Sequence, residues 1–514
     1  MNLNQQLISM ENYLYGFTIH SIQGYIFQTN KLKEIAGASE LVEQICTTEF
    51  AKMIDKDFKG FKDDPCAIRN AAGNIRYLFS EDQLNLCKEV VKVFPKKILE
   101  FAPGVQISQA VVEISENDQF HLKSEELERK LTAQRNNPFR PVDLGYMAIN
   151  RSRRTGLPSC DKKDDDKKPL DKATYLKQKQ ERKSSRVSEL FFGSYFDKER
   201  ITADVEKIVS SKDTNYSWLA VIHADGNNMG KALQNLKDEI TIGHNYADLE
   251  KRFSEAVDEA TKVAANTAFV ESMKVIKLKE TDKIPFRPII VGGDDLTIVC
   301  RADLALNFTK VYLEIFKKQT EINFCREGFT TDLKNGLTAC AGIAYIKVNY
   351  PFHYAVDLAE KLCSHAKKDA KSKVKANGLV PSCLMFHKVQ DSFVESYEDI
   401  IKRELTAHAA DYKFDFGPYY LDPKTNKPTI KQFLDNVSQF NGKEGNAIKS
   451  GLRQWLTDLH DNKGMAEQRM KRLVSVGNDT ILNNLGLKEN KGVVEEKSPV
   501  YDWLTVLSIN LNDD

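Results

Sequence analysis

Residues 288–300 read Pro288-Ile-Ile-Val-Gly-Gly-Asp-Asp-Leu-Thr-Ile-Val-Cys300. Two short β-branched runs flank Gly292-Gly293-Asp294-Asp295, the pattern of a β-hairpin turning at the glycines. Glycine supplies the positive φ of a tight turn and lets a ligand approach the backbone. Two adjacent carboxylates then stand at the tip of a stiff hairpin. They repel one another unless a cation neutralises them. A solvated Gly-Asp turn is the bland alternative, since such dipeptides are ordinary turn chemistry.

Outward from the hairpin, Trp218-Leu-Ala-Val-Ile-His-Ala-Asp225 reads as a strand and Gly226-Asn227-Asn228-Met229-Gly230-Lys231 as a turn into a helix. A long helix is predicted over Tyr246–Val275, where Leu249, Phe253, Val257, Ala260 and Val263 recur at helical spacing. After the hairpin come a helix over Asp303–Thr320, a strand over Gly336–Val348 and a helix over Pro351–Lys373. This order is a split βαββαβ, a ferredoxin-like pattern.

The first part of the chain has the same order. Tyr13–His20 reads as a strand, 22–29 as a short helix and Ala38–Ile54 as a longer helix with Ser39 as its N-cap. Cys66–Asn70 and Ile75–Ser80 read as strands joined by Ala71-Ala72-Gly73-Asn74. A helix over Glu81–Phe101, a strand over Val105–Ile114 and a helix over Leu122–Gln134 follow. In this copy Ala71-Ala72-Gly73-Asn74 stands where the second has Gly292-Gly293-Asp294-Asp295, and His20-Ser21-Ile22 where it has His223-Ala224-Asp225. All three carboxylates are missing from the first copy.

The expected class is therefore α+β, with two ferredoxin-like (βαββαβ) domains and a C-terminal helical domain. The boundaries are a first such domain without the acids over 1–149, a charged linker or insertion over 150–200, a second over 201–388 and a mostly helical domain over 389–514. Asp161-Lys-Lys-Asp-Asp-Asp-Lys-Lys168 marks the linker as exposed and solvated. In the last part, Pro418–Pro423 reads as a strand and turn. Ile430–Phe440, Gly445–Asp461 and Gly464–Val474 read as helices. The pair His460-Asp461 lacks the further ligands a metal phosphohydrolase needs and reads as a helix end.

Composition narrows the function classes. The chain has 514 residues, room for roughly three or four domains at ~150 residues each. Lys+Arg number 74 against Asp+Glu 73, so overall charge argues neither for nor against nucleic acid. Nine cysteines form no C-x-x-C pair, which points away from a zinc ribbon or disulfide framework and toward a reduced, cytoplasmic protein. No run approaches the ~18 apolar residues of a membrane helix.

The chemistry is expected where Asp225 ends the first strand of the second copy beside Asp294 and Asp295. Central neighbours in a split βαββαβ sheet bring these three together as metal ligands and catalytic residues. Hard oxygen donors suit Mg2+ (or Mn2+), and two such ions serve in-line displacement at phosphorus. Nucleotidyl transfer with pyrophosphate release is the predicted reaction. Gly226, Asn227, Asn228 and Gly230 offer a helix N-terminus to phosphate, and Gly292 and Gly293 offer close backbone approach. Lys367 and Lys368, with Lys371, Lys373 and Lys375 nearby, read either as a triphosphate clamp or as a solvated basic helix end. His20, His223, His353 and His365 show no ligand spacing and read as structural; His223 shares the strand face of Asp225. Cys300 and Cys340 read as core.

These motifs resemble the large polymerase/cyclase subunit of type III CRISPR effector complexes, whose palm carries a GGDD hairpin. Ser21 to Leu41 resembles the opening of that family's first palm, Asp225-Gly-Asn-Asn-Met-Gly230 the metal-binding turn of its second, and Ala341-Gly-Ile-Ala-Tyr345 with Pro351 and Ala366-Lys-Lys368 its last strand and helix. The resemblance spans about residues 10–380. It implies two facing palms with ATP between them, the first non-catalytic, and Ser39 near the nucleotide. It implies conversion of ATP, or another NTP, into cyclic or short oligonucleotide messengers in prokaryotic antiviral defence. RNA, CRISPR effector subunits and a second copy of the chain are the implied macromolecular partners; no membrane is implied. Three departures stand out: no N-terminal HD nuclease domain precedes the first palm, no cysteine pairs lie between the palms, and the chain is short, as for a stand-alone relative. Asp295-Leu296 replaces the Glu-Phe of diguanylate cyclases. The alternative is a non-catalytic palm scaffold that binds RNA or effector subunits.

Overall fold

The computed structural model describes residues 12–55, 61, 64–71, 73–115, 118–137, 149–164, 167–209, 216–239, 245–276, 278–279, 281–373, 378–390, 396–407, 412–423 and 427–510. Ala72 and Lys375 lie outside them. The first sheet contains β1 (Asn12–His20), β2 (Ala67–Ala71), β3 (Asn74–Phe79) and β4 (Gln106–Ile114) in the order β2-β3-β1-β4. Every neighbouring pair is antiparallel. Helices α1 (Leu32–Gln44), α2 (Leu84–Phe101) and α3 (Phe120–Asn136) interleave with the strands. Tyr15 and Phe17 alternate into a core closed by Phe50, Phe79 and Phe94, all fully buried. Burying each such side chain contributes about 1.5–3 kcal/mol.

Ser39 is not an N-cap. Helix α1 begins at Leu32, so Ser39 sits inside it, and a π-helical stretch over Ile45–Glu49 separates it from the helix Phe50–Ile54. Leu41, Val42, Ile45, Phe50 and Met53 face the core, with Ile45 and Phe50 fully buried. What sequence patterning missed was that burial on both faces of α1 masks its start.

The segment expected as an exposed linker or insertion is folded. It holds β5 (Ser159–Lys163), β6 (Pro169–Asp171), α4 (Lys172–Lys183) and α5 (Arg186–Phe192). Asp171 caps α4 by accepting from the Thr174 N–H at 2.9 Å. Asp164 pairs with Arg154 at 2.8 Å, while Asp161, Lys162 and Lys163 stay exposed as expected. Gly37 of α1 passes so close to α4 that an added Cβ would lie 1.8 Å from the Lys177 carbonyl oxygen. Phe191 and Phe192 are fully buried against Phe269 and Phe286 beyond the segment. The charge run concealed these two apolar anchors.

The second sheet contains β7 (Trp218–Gly226), β8 (Phe286–Gly292), β9 (Asp295–Arg301), β10 (Ala339–Lys347), β11 (Cys383–Lys388) and, after a small ribbon of β12 (Thr406–Ala407) and β13 (Tyr412–Lys413), β14 (Tyr419–Tyr420). Its order is β14-β11-β10-β7-β9-β8. Strands β7 to β10 repeat the arrangement of β1 to β4. Leu219 to Ala224 are buried on both faces, as a central strand requires. The helices are α6 (Met229–Glu239), α7 (Tyr246–Met273), α8 (Ala302–Arg326) and α9 (Phe352–Ser372). Helix α9 packs so tightly on β10 that a Cβ at Gly342 would meet the Ala359 carbonyl oxygen at 2.0 Å.

Residues beyond 388 do not form helices alone. β14 pairs with β11 through Cys383↔Tyr420 and Leu384↔Tyr419, so the sheet crosses the expected boundary. Beyond it, α10 (Ile430–Ser438), α11 (Gly442–Asp461), α12 (Lys463–Val476) and α13 (Val500–Leu507) bury Phe433, Trp455 and Trp503. His460 is exposed and lies 5.6 Å from the Phe414 ring.

The two sheet units are joined by buried charge. Glu250 of α7 reaches Arg76 at 2.5 Å and Arg69 at 3.1 Å across the interface, with only 1% of its side chain exposed. Lys251 adds a bond to the Asp64 carbonyl oxygen at 2.7 Å. No helix among the described residues is long and apolar enough to cross a membrane.

Candidate active site

The register places the three acids together. Asp225 at the end of β7 stands opposite Asp295 at the start of β9, and His223 opposite Thr297 two residues back. Alternate residues share a sheet face, so His223 and Asp225 point the same way. Gly293 closes the hairpin with φ +61°, a conformation glycine tolerates. A Cβ at Gly226 would meet the Cβ of Asp294 at 2.9 Å, so this glycine lets the two turns touch.

Helix α7 clamps the hairpin. The Asp258 Oδ1 accepts from the Gly293 N–H at 3.0 Å, and the Thr261 hydroxyl donates to the Gly293 carbonyl at 2.6 Å. Asp258 is itself ion-paired with Lys262. Sequence reading missed these residues; their 258/261/262 spacing on one helix face was the available signal.

The electrostatics are unbalanced. Burial, reinforced by Asp294 and Asp225, pushes the Asp295 carboxyl up to about 8. Burial and the neighbouring Asp225 also raise Asp294. Lys367 is ion-paired with Asp225 and donates to the Gly226 carbonyl at 2.8 Å. Lys368, one residue on, is exposed, and Lys371 and Lys373 are exposed at the helix end, so the structure brings in Lys367 alone of these four. The ligand atoms of His223, Asp225 and Asp295 lie within 4.8 Å of one another. His223 thus joins the cluster, contrary to its purely structural reading. Burial lowers its imidazole to about 4, leaving it neutral, with Nδ1 3.1 Å from the Thr297 hydroxyl. An oxygen-rich donor set with surplus negative charge fits a hard divalent cation.

The turn residues divide. Asn227 is buried, and its amide Nδ2 donates to the Thr338 hydroxyl at 3.0 Å while its backbone N–H donates to the Thr338 carbonyl at 2.7 Å. It ties the turn to the foot of β10. Asn228 adopts φ 58°, and its carbonyl accepts from the Ala232 N–H at 2.9 Å as α6 begins. Gly230 has open space around its Cβ position.

A cavity of about 590 Å³ opens between the two sheet units. Its walls include Ile22, Phe27 and Ser39 from the first unit and Gly292, Asp295 and Glu360 from the second. Ser39 lines it but has its hydroxyl engaged, donating to the Ile289 carbonyl. Burial and the nearby Asp357 raise the Glu360 carboxyl to about 7.

In the first unit the matching hairpin pairs Ala71 with Asn74, and Thr18 stands opposite Asn74. Thr18, not Ile22, therefore holds the position of Asp225. Ile22 lies beyond the strand, in the helix Ile22–Ile26. The correction leaves the first hairpin without acids.

Residues 218–375 match the family model of the Cas10/Cmr2 second palm domain. Among solved structures, a Csm1–Csm4 cassette in complex with cA3 aligns with a TM-score of 0.52 at 12% identity, covering 99% of this chain and 71% of that one. A Csm1–Csm4 cassette with cA4 gives a TM-score of 0.48 at 12% identity over 99% and 71% of the two chains. No curated protein matches the chain by sequence. The palm match and the shared fold support a Cas10-like subunit.

Proposed function

We propose that this Cas10-like chain is a divalent-cation-dependent nucleotidyltransferase that joins ATP units into a cyclic or short oligonucleotide and releases pyrophosphate. The observation that carries this reading is the meeting of Asp225, Asp294 and Asp295 beside the cavity between the two sheet units. Both four-stranded arrangements place the first strand between the third and fourth, which supports reading them as ferredoxin-like palms. The first palm serves as a wall of the site and the second as its catalytic floor. The layout remains a first palm, a folded insertion, a second palm and a C-terminal helical unit.

Asp225, Asp294 and Asp295 would hold Mg2+ or Mn2+. When bound, the cation neutralises phosphate oxygens and favours in-line displacement at phosphorus. The chain's residues do the rest. Asp258 and Thr261 hold the hairpin so that the carboxylates keep their places. Gly226 and Gly230 leave the start of α6 open to phosphate, with Asn227 and Asn228 fixing the turn. Lys367 exchanges Asp225 for triphosphate oxygens, and Gly292 and Ser39 bound the nucleoside cavity. A ribose hydroxyl attacks the α-phosphorus; the new O–P bond forms as the bond to the β-phosphate oxygen breaks, and the hydroxyl proton passes to solvent. A non-catalytic scaffold has no use for three mutually repelling acids.

The Csm1–Csm4 cassette with cA3 supports an oligoadenylate product for this chain, and the resemblance in its sequence motifs supports a CRISPR-type effector setting and a role in antiviral defence. The test is incubation with each NTP and Mg2+ or Mn2+, followed by mass spectrometry. Pyrophosphate and oligonucleotide should appear with ATP and vanish in Asp225→Ala and Asp294→Ala. Equal turnover in both variants removes the reading.

A further inference from the structure

A second cluster lies at the opposite end of the same sheet. Trp218 begins β7, Lys347 ends β10 as its register partner, and Lys388 ends β11. Asp225 is seven residues further along β7, roughly 23 Å away. The Lys347 ammonium stands 4.1 Å from the Trp218 ring centroid and the Lys388 ammonium 4.4 Å. Lys347 also donates to the Ser217 hydroxyl at 2.8 Å and Lys388 to the Ser508 hydroxyl at 2.6 Å. The helix α11 packs on α13, whose C-terminal Ser508 receives Lys388, and its Lys449 and Arg453, one turn and about 6 Å apart along the helix, supply two further cations on this side.

Among the described residues the cluster has no counter-charge. Burial, Lys347 and Arg453 lower the Lys388 ammonium to about 8, and burial and Arg453 lower Lys449. Among the described residues, no carboxylate forms an ion pair with any of the four cations. Like charges gathered without an acid are a standing cost that a bound polyanion relieves.

We propose that Trp218, Lys347, Lys388, Lys449 and Arg453 form a binding track for single-stranded RNA, with the cations on successive phosphates and the indole as a stacking plane. Cations contributed by two strand ends and a helix supply more contacts than one small anion uses. The indole, freed as the ammonium groups turn to phosphate, gives a base a surface that an acidic peptide would not use. This site stands apart from the proposed chemistry and does not depend on it.

The test uses the full chain and a labelled short oligouridylate, read by anisotropy across a salt series. Lys388→Gln/Arg453→Gln should weaken binding about tenfold or more and flatten the log Kd against log salt slope by about 1.4, near 0.7 per lost phosphate contact. Lys388→Arg should retain binding, and thermal melts should show that each variant folds. Lys92→Gln/Lys96→Gln on α2, exposed elsewhere, should bind as wild type. Trp455 and Trp503 are buried, so RNA should quench emission from Trp218 and the change should vanish in Trp218→Phe. Wild-type binding by the double variant, or equal loss in the α2 control, overturns the assignment. So does affinity that ignores RNA length while inorganic triphosphate competes, which marks a small-anion site. Displacement of RNA by polyglutamate at lower concentration assigns the surface to an acidic protein instead and overturns it too.

Discussion

Asp295→Asn is expected to stabilise the metal-free protein while abolishing the gain that Mg2+ gives the wild type. Asp295 sits opposite Asp225 and next to Asp294, and burial with these neighbours raises its carboxyl to about 8. A group whose folded pKa exceeds its unfolded value, ~3.9 for Asp, stabilises the fold fully below that unfolded value. That contribution is lost as pH rises toward the folded value near 8. At pH 7 the loss spans about three pH units, or about 4 kcal/mol at ~1.36 kcal/mol per unit. Water entry and relaxation reduce it, so a gain of about 2–4 kcal/mol is expected from the substitution. By the usual scaling this is a rise of about 5–10 °C in the melting of the second palm. Thermal melts in EDTA should show wild type and variant converging below pH 4, with the gap opening toward pH 8. Added Mg2+ should raise the wild type and leave the variant unmoved. If the variant melts at or below wild type in EDTA at neutral pH, or gains equally from Mg2+, the charge-repulsion argument is refuted.

Glu250→Gln leaves the buried Arg69 without its ion pair and Arg76 with Glu128 alone in the interface between the two sheet units, and should cost about 3–5 kcal/mol in urea unfolding and weaken nucleotide binding; a loss below about 1 kcal/mol would show that the interface rests on apolar contacts instead. Thr261→Val keeps the volume but leaves the Gly293 carbonyl without its donor, and should cost about 1–3 kcal/mol and lower turnover about tenfold or more, measured by pyrophosphate release. Asp502 is buried, accepts from the Tyr419 hydroxyl at 2.6 Å and is raised to about 7 by burial. Its stabilising contribution should be full below about pH 4 and lost as pH rises through 7. Asp502→Asn should flatten the urea-unfolding midpoint between pH 4 and 8; an unchanged slope would locate the pH dependence elsewhere.

The hairpin at 288–300, the strand ending in Asp225 and the repeated order of elements were legible because each is written in local pattern. β-branched runs, glycine punctuation and the 246–275 apolar stripe need no distant partner to be read. The folded insertion was hidden because its charged surface outweighs Phe191 and Phe192, whose burial depends on Phe269 and Phe286 far along the chain. Ser39 was misread as a cap because α1 is buried on both faces and its start carries no capping signature.

By itself, the sequence determined that one hairpin carries two acids, that a strand-end Asp precedes a glycine-rich turn, and that the first copy lacks both features. Tertiary structure alone decided which side chains meet. Strand pairing, a long-range choice, put Asp225 opposite Asp295 and Thr18 rather than Ile22 in the equivalent place. Helix packing selected Lys367 over Lys368, brought Asp258 and Thr261 under the turn and drew Ser39 onto the Ile289 carbonyl. The same pairing gathered Trp218, Lys347 and Lys388 at the far end of the sheet from three separate strands. Periodicity specifies which face of an element is buried, but contacts between elements depend on register and docking, which the chain acquires only when its distant segments close on one another.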